Sequence, residues 1–141
     1  MRIALLTTDC PPALRCAGSL TARYDLCGIL VRTAPPAVPF ATAHHLDDDQ
    51  ADFETAAWFG GPLPALADFA PTHAVPDMKG DEAAVVLKSL KPDVVISLNA
   101  GPVGAAVIDM METRALVLHP GNPQDYRGED THLWAVYHGD E

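Results

Sequence analysis

Four short apolar runs constrain this chain most: Ile3-Ala4-Leu5-Leu6, Gly28-Ile29-Leu30-Val31, Val94-Val95-Ile96-Ser97-Leu98 and Ala115-Leu116-Val117-Leu118. None alternates apolar with polar, so none suits a sheet with one wet face. Continuous β-rich runs of this length read as strands buried on both faces, as in a parallel sheet under helices. Parallel neighbours need long crossovers, and helical patterns lie between the runs. Ala83, Val86, Leu87 and Leu90 fall on one helical face, with Gly80-Asp81 as a start and Pro92 as a stop. Val103, Val107, Ile108 and Met111 predict a second helix over 103–112, and others are expected over 12–22 and 131–138. A minor strand is expected at His73-Ala74-Val75. The order predicts an α/β fold: a Rossmann-like, open, mostly parallel sheet flanked by helices.

The stretch from Thr33 to Pro71 interrupts this alternation with Pro35-Pro36, Pro39, His44-His45, Asp47-Asp48-Asp49, Gly60-Gly61, Pro62 and Pro64. Prolines forbid one long helix across it. Two short helices are expected instead, over 52–59 and 63–69. With no repeat and no low-complexity linker, residues 1–141 read as a single domain.

Composition narrows the function. The chain holds 9 Lys+Arg against 19 Asp+Glu, a net charge of −10. That balance speaks against nucleic-acid binding, which runs on basic side chains neutralising phosphates. An apolar fraction of 48% with 20% charged residues excludes a disordered chain. No run approaches the ~20 apolar residues of a membrane span. Cys10, Cys16 and Cys27 form no C-x-x-C pair, as expected of reduced cytoplasmic thiols. The loop Thr7-Thr8-Asp9-Cys10-Pro11-Pro12 lacks the glycines of a dinucleotide site, and Walker A, H-E-x-x-H and G-x-S-x-G are missing. His44-His45 with Asp47 to Asp49 read as a solvated acidic loop rather than a metal site, so no metal is expected.

The informative stretch is Leu116-Val117-Leu118-His119-Pro120-Gly121-Asn122-Pro123-Gln124-Asp125-Tyr126-Arg127-Gly128. His119 closes an apolar run at its carboxyl end, the edge where open α/β sheets bind ligands. A titratable ring there is a candidate for proton transfer.

His119-Pro120-Gly121-x-Pro123-x-x-Tyr126-Arg127-Gly128 with Trp134-Ala135 resembles the signature of formyltransferases that use 10-formyltetrahydrofolate. Met1-Arg2-Ile3, Lys91-Pro92-Asp93-Val94-Val95, Ser97 to Val103 and Val107-Ile108-Asp109 extend the resemblance, weakest over 33–75. It implies a formyl group moved from folate to a primary amine of a small or sugar-nucleotide acceptor. On that resemblance His119 is catalytic, and Leu98, Asn99, Ala100, Gly101, Pro102 and Val103 hold the folate, largely through backbone groups. Asn122, Tyr126, Arg127 and Gly128 shape the acceptor loop.

Two positions depart from the family. Its Asn belongs two residues before the His, where this chain has Val117. Its Asp belongs beyond Glu141, so the domain is expected to be incomplete at its C-terminal end. Asp125, Glu129, Asp130 and Asp140 are the nearby carboxylates, and Asn99 and Asn122 the asparagines. Two readings follow: an active formyltransferase, or a catalytically degenerate folate- or partner-binding module of the same fold. An unrelated α/β domain is the third. A sheet ending at the last apolar run exposes an edge, so a homodimer or a covering element is expected there.

Overall fold

The computed structural model describes residues 1–34, 46–110, 114–128 and 130–140, and all their side chains except 46 and 47. His44, His45, Met111, Glu112 and Glu129 therefore lie outside the described residues. Strand β1 (Arg2–Thr7) leads through α1 (Pro11–Thr21) to β2 (Asp25–Arg32). Helix α2 (Leu46–Trp58) and a 3-10 turn (Leu66–Asp68) precede β3 (Thr72–Val75). Then come α3 (Asp81–Leu90), β4 (Val94–Leu98), α4 (Ala105–Met110), β5 (Ala115–Leu118) and α5 (Thr131–His138). The strands form one sheet in the order β3-β2-β1-β4-β5, and every neighbouring pair is parallel. The expected α/β Rossmann-like architecture is the observed one.

Two helical layers cover the sheet. Ile3, Leu5, Ile29 and Ile96 point to one side, against Ala13, Leu14 and Ala17 of α1 and Leu66 of the 3-10 turn. Ala4, Leu6, Leu30 and Val95 point to the other, against Ala83, Ala84 and Leu87 of α3, Met78, and Val107 of α4. Successive strand residues alternate between these cores, which is why the runs show no polar alternation.

The segment Lys91-Pro92-Asp93 stitches the sheet together at its other end. Lys91 takes a left-handed conformation (φ 48°) that ends α3, and Pro92 prevents resumption. The Arg2 amide donates to the Asp93 carboxylate (2.7 Å), and the Asp93 amide donates to the Arg2 carbonyl (2.9 Å). These bonds align the starts of β1 and β4.

Three expectations change. Helix α2 runs over 13 residues, longer than the helix expected over 52–59. No proline lies between Pro39 and Pro62, so nothing interrupts its backbone bonds. The helix expected over 63–69 shrinks to the 3-10 turn, because Pro62 and Pro64 remove donors just ahead of it.

The third change concerns β5, expected to be buried on both faces. Leu116, Val117 and Leu118 are instead 57%, 66% and 47% exposed. The register places Leu116 and Leu118 beside Ile96 and Leu98, on the α1 side, and Val117 beside Ser97 on the other. Helix α1 lies over β1 and β2 and leaves the α1 side of β5 uncovered among the described residues. A run of apolar residues reads the same at the centre and the edge of a sheet; only the neighbours differ.

This asymmetry has a measurable consequence. Leu30→Ala, at the packed centre, is expected to cost about 2–5 kcal/mol of stability through lost transfer energy and a cavity. Val117→Ala, at the open edge, is expected to cost under about 0.5 kcal/mol. Urea unfolding followed by circular dichroism measures both.

Candidate functional site

Parallel strands bring all their carboxyl ends to one edge. The chain runs from β1 outward to β2 and β3, then returns to the opposite flank of β1 for β4 and β5. The connections leaving β1 and β4 diverge, so the crevice between them is the topological switch point, where open α/β sheets take ligands.

The loops after β1 and β4 meet there. The Thr8 hydroxyl donates to the Asn99 carbonyl (3.4 Å) and approaches the Cys10 sulfur (3.8 Å). The Asn99 amide nitrogen donates to the same sulfur at 3.7 Å. Asn99 (φ 54°) and Gly101 (φ 75°) both take left-handed conformations, turning the chain sharply as it leaves β4. Ala100 is buried beneath this turn, while Asn99 and Pro102 are exposed and Leu98, Gly101 and Val103 are half-buried. Cys10 precedes α1, whose first residue, Pro11, has the φ a helix needs.

His119 stands abreast of this loop. Leu98 and Leu118 are register partners, so Asn99 and His119 are the next residues outward on neighbouring strands. Its Nδ1 lies 3.0 Å from the Gly121 carbonyl, which can only accept, so Nδ1 carries a hydrogen and, in the neutral ring, Nε2 is the acceptor. Gly121 is required for this turn: a Cβ there would lie 2.7 Å from the Thr131 Cβ at the start of α5.

The residues expected to form the acceptor loop are brought together, but with one another. The Asn122 side chain accepts from the Gln124 amide (3.2 Å) and donates to the Asp125 carboxylate (2.6 Å). Arg127 Nε donates to the Pro123 carbonyl (3.3 Å), and the Tyr126 hydroxyl donates to the Asp140 carboxylate. Gly128 has a positive φ of 107°. Tyr126 and Trp134 both stack near His138, with ring centroids 6.0 and 6.3 Å away. Asp125 and Asp140 are thus occupied, and among the described residues no carboxylate is hydrogen-bonded to His119.

Thr8 and Arg32 join the site without having been singled out from sequence. Arg32 ends β2, and its guanidinium lies against Gly101: a Cβ on Gly101 would come within 2.3 Å of Arg32 Nη1. A cation at the carboxyl end of a buried strand is the signal that could have found it. Among the described residues, no group of three His, Cys, Asp or Glu side chains could hold a metal ion, and no helix is long and apolar enough to cross a membrane.

A concavity of about 410 Å³ lies at the opposite edge, lined by Lys88, Lys91, Pro92, Asp93 and Arg114 over Leu87, Val95 and Met110. It sits at the amino end of β4, away from the loops that follow the strands.

The Tyr126–Asp140 bond, with the negative carboxylate beside it, pushes the Tyr126 phenol up to about 12. The folded state favours the protonated phenol, so its contribution is complete below the ordinary value of 10.0 and is lost as pH rises through about 12. Phenolate absorbance is expected to show one late-titrating tyrosine, which Asp140→Ala brings back toward 10.0.

No family model and no curated protein sequence matches the chain. Among solved structures it is similar to glycinamide ribonucleotide transformylase 1 from Geobacillus kaustophilus, with a TM-score of 0.61 and 14% sequence identity. The match covers 98% of this chain and 68% of that one. At this identity the likeness is one of fold: this chain has the α/β fold of a formyltransferase domain.

Proposed function

We propose that this chain is a formyltransferase-type domain whose switch-point crevice takes a folate formyl donor and a small primary amine. The observation that carries the reading is His119 at the carboxyl end of β5, abreast of the Leu98–Val103 loop, in a fold shared with a formyltransferase. The left-handed conformations of Asn99 and Gly101 turn that loop across the strand ends, where its backbone meets the pterin edge. His119 Nε2 takes the proton released when the amine bonds to the formyl carbon and passes it to the donor nitrogen as the bond between that nitrogen and the formyl carbon breaks, while the Gly121 carbonyl fixes the ring through Nδ1. 10-Formyltetrahydrofolate supplies the one-carbon group when bound.

The negative charge that develops on the formyl oxygen needs a donor, and the Val117 side chain has none. Of the two asparagines, Asn122 is committed to its own turn, whereas the Asn99 amide contacts only a thiol. Val117, and a His119 ring bonded to no carboxylate among the described residues, favour a second reading, a module that binds folate and transfers slowly or not at all. The low basic content supports a small acceptor over tRNA in either case. Self-association through the β5 edge belongs to the same reading, since the edge presents apolar side chains on both faces.

Calorimetric titration with 5-formyltetrahydrofolate tests the proposal. Binding is expected, and its absence at millimolar ligand would exclude both readings. With 10-formyltetrahydrofolate and a panel of amines, His119→Ala is expected to abolish any turnover. Val117→Asn is expected to raise it by about 10²-fold or more, if one oxyanion donor is what the site lacks. Light scattering should show a dimer at micromolar concentration that Leu118→Lys dissociates; a monodisperse wild-type monomer refutes the pairing.

A further inference from the structure

Arg32 is a charged group with no visible purpose in the fold. Its Nε is buried and has no hydrogen-bond partner, although buried polar groups nearly always have one. The chain carries 19 acidic residues, yet none of the described ones is paired with this guanidinium. By contrast, Arg2 pairs with Asp25 (3.0 Å), Arg15 lies over the Trp58 ring (5.1 Å) and Arg127 donates to a carbonyl.

Its placement is as particular as its isolation. Thr7, the last residue of β1, pairs with Val31, so Arg32 stands one step beyond the end of the central strand. From β2 its side chain reaches the loop after β4, two strand spacings or roughly 9.5 Å away. The guanidinium rests against Gly101, the one residue type that permits both φ 75° and this close approach. The side chain therefore crosses from the end of β2 to the loop after β4, the same loop that Thr8 and Cys10 meet through Asn99.

We propose that Arg32, held against Gly101, is an anion-recognition residue that binds a carboxylate or phosphate oxyanion of the small molecule entering between β1 and β4. A guanidinium offers a planar fork of donors that matches either group and stays charged at any working pH. The location rests on the crevice being the substrate site, as above, but the anion site is testable by itself. Two sources share the chemistry: the tail carboxylates of a folate and a phosphate on the acceptor.

Wild-type protein is titrated separately with glutarate and with inorganic phosphate, following the Gly101 amide and the arginine Nε–H signals by NMR. One of the two anions is expected to move both signals. A response to glutarate alone assigns the site to the donor's tail, and a response to phosphate alone to the acceptor. Calorimetry with that anion is expected to show affinity at least about tenfold weaker in Arg32→Gln, with a smaller loss in Arg32→Lys, which keeps the charge but not the fork. No shift of the Gly101 amide with either anion overturns the proposal, as does unchanged affinity in Arg32→Gln. Should Arg32→Gln not fold, the wild-type shifts and Arg32→Lys decide. Folate binding to wild type without any anion response removes this site and leaves the formyltransferase reading standing. Anion binding without folate binding does the reverse.

Discussion

The central position of β1 is the constraint on which the rest depends. It is hydrogen-bonded on both sides, to β2 and to β4, and every residue from Ile3 to Thr7 is buried. A strand paired and covered on all sides cannot shift without exposing both cores. Its parallel neighbours therefore bring their carboxyl ends to a common edge, and the reversal of strand order at β1 opens the crevice there. Thr8, Cys10, Arg32, Asn99, Gly101 and His119 owe their proximity to that reversal, since they come from four different strands' ends.

Order falls off from β1 toward β5. The strand carrying His119 is four residues long and its apolar side chains face outward. His119 is consequently held less by packing of its strand than by the turn that follows, through the Gly121 carbonyl and the seat of Gly121 on Thr131. The segment beyond closes on itself through Asn122–Asp125 and Tyr126–Asp140. Asp125 and Asp140, two of the carboxylates near His119 in sequence, are spent on these local bonds. On the opposite flank the site is firmer: Asn99 and Gly101 rest on buried Ala100 and on the loop after β1.

Much of the fold was legible because burial leaves a local trace. Continuous apolar runs marked four of the strands, and the apolar face at Ala83, Leu87 and Leu90 marked α3. The 13-residue α2 was harder to see, since its surroundings are rich in proline while its own span has none. His119 could be singled out because it closes an apolar run, and the Leu98–Val103 loop because it resembles a family's loop after the corresponding strand. Arg32 could not: nothing about an arginine after an apolar run says that it will cross to a glycine almost seventy residues away. Asn122 and Tyr126 were expected to shape the acceptor loop; that they bond Asp125 and Asp140 depends on a turn's detailed geometry.

By itself the sequence determined the alternation of strands and helices, the parallel character of the sheet and the candidate loops at its edge. Each of these follows from side-chain periodicity within a few consecutive residues. Only the tertiary structure decided which run lies at the centre and which at an open edge, and so why Leu5 is buried and Leu116 is exposed although both sit in similar apolar runs. It also decided that Arg32 meets Gly101 and that no described carboxylate meets His119. Strand order and cross-strand neighbours arise from pairing between distant segments, and a local pattern carries no record of its distant partner.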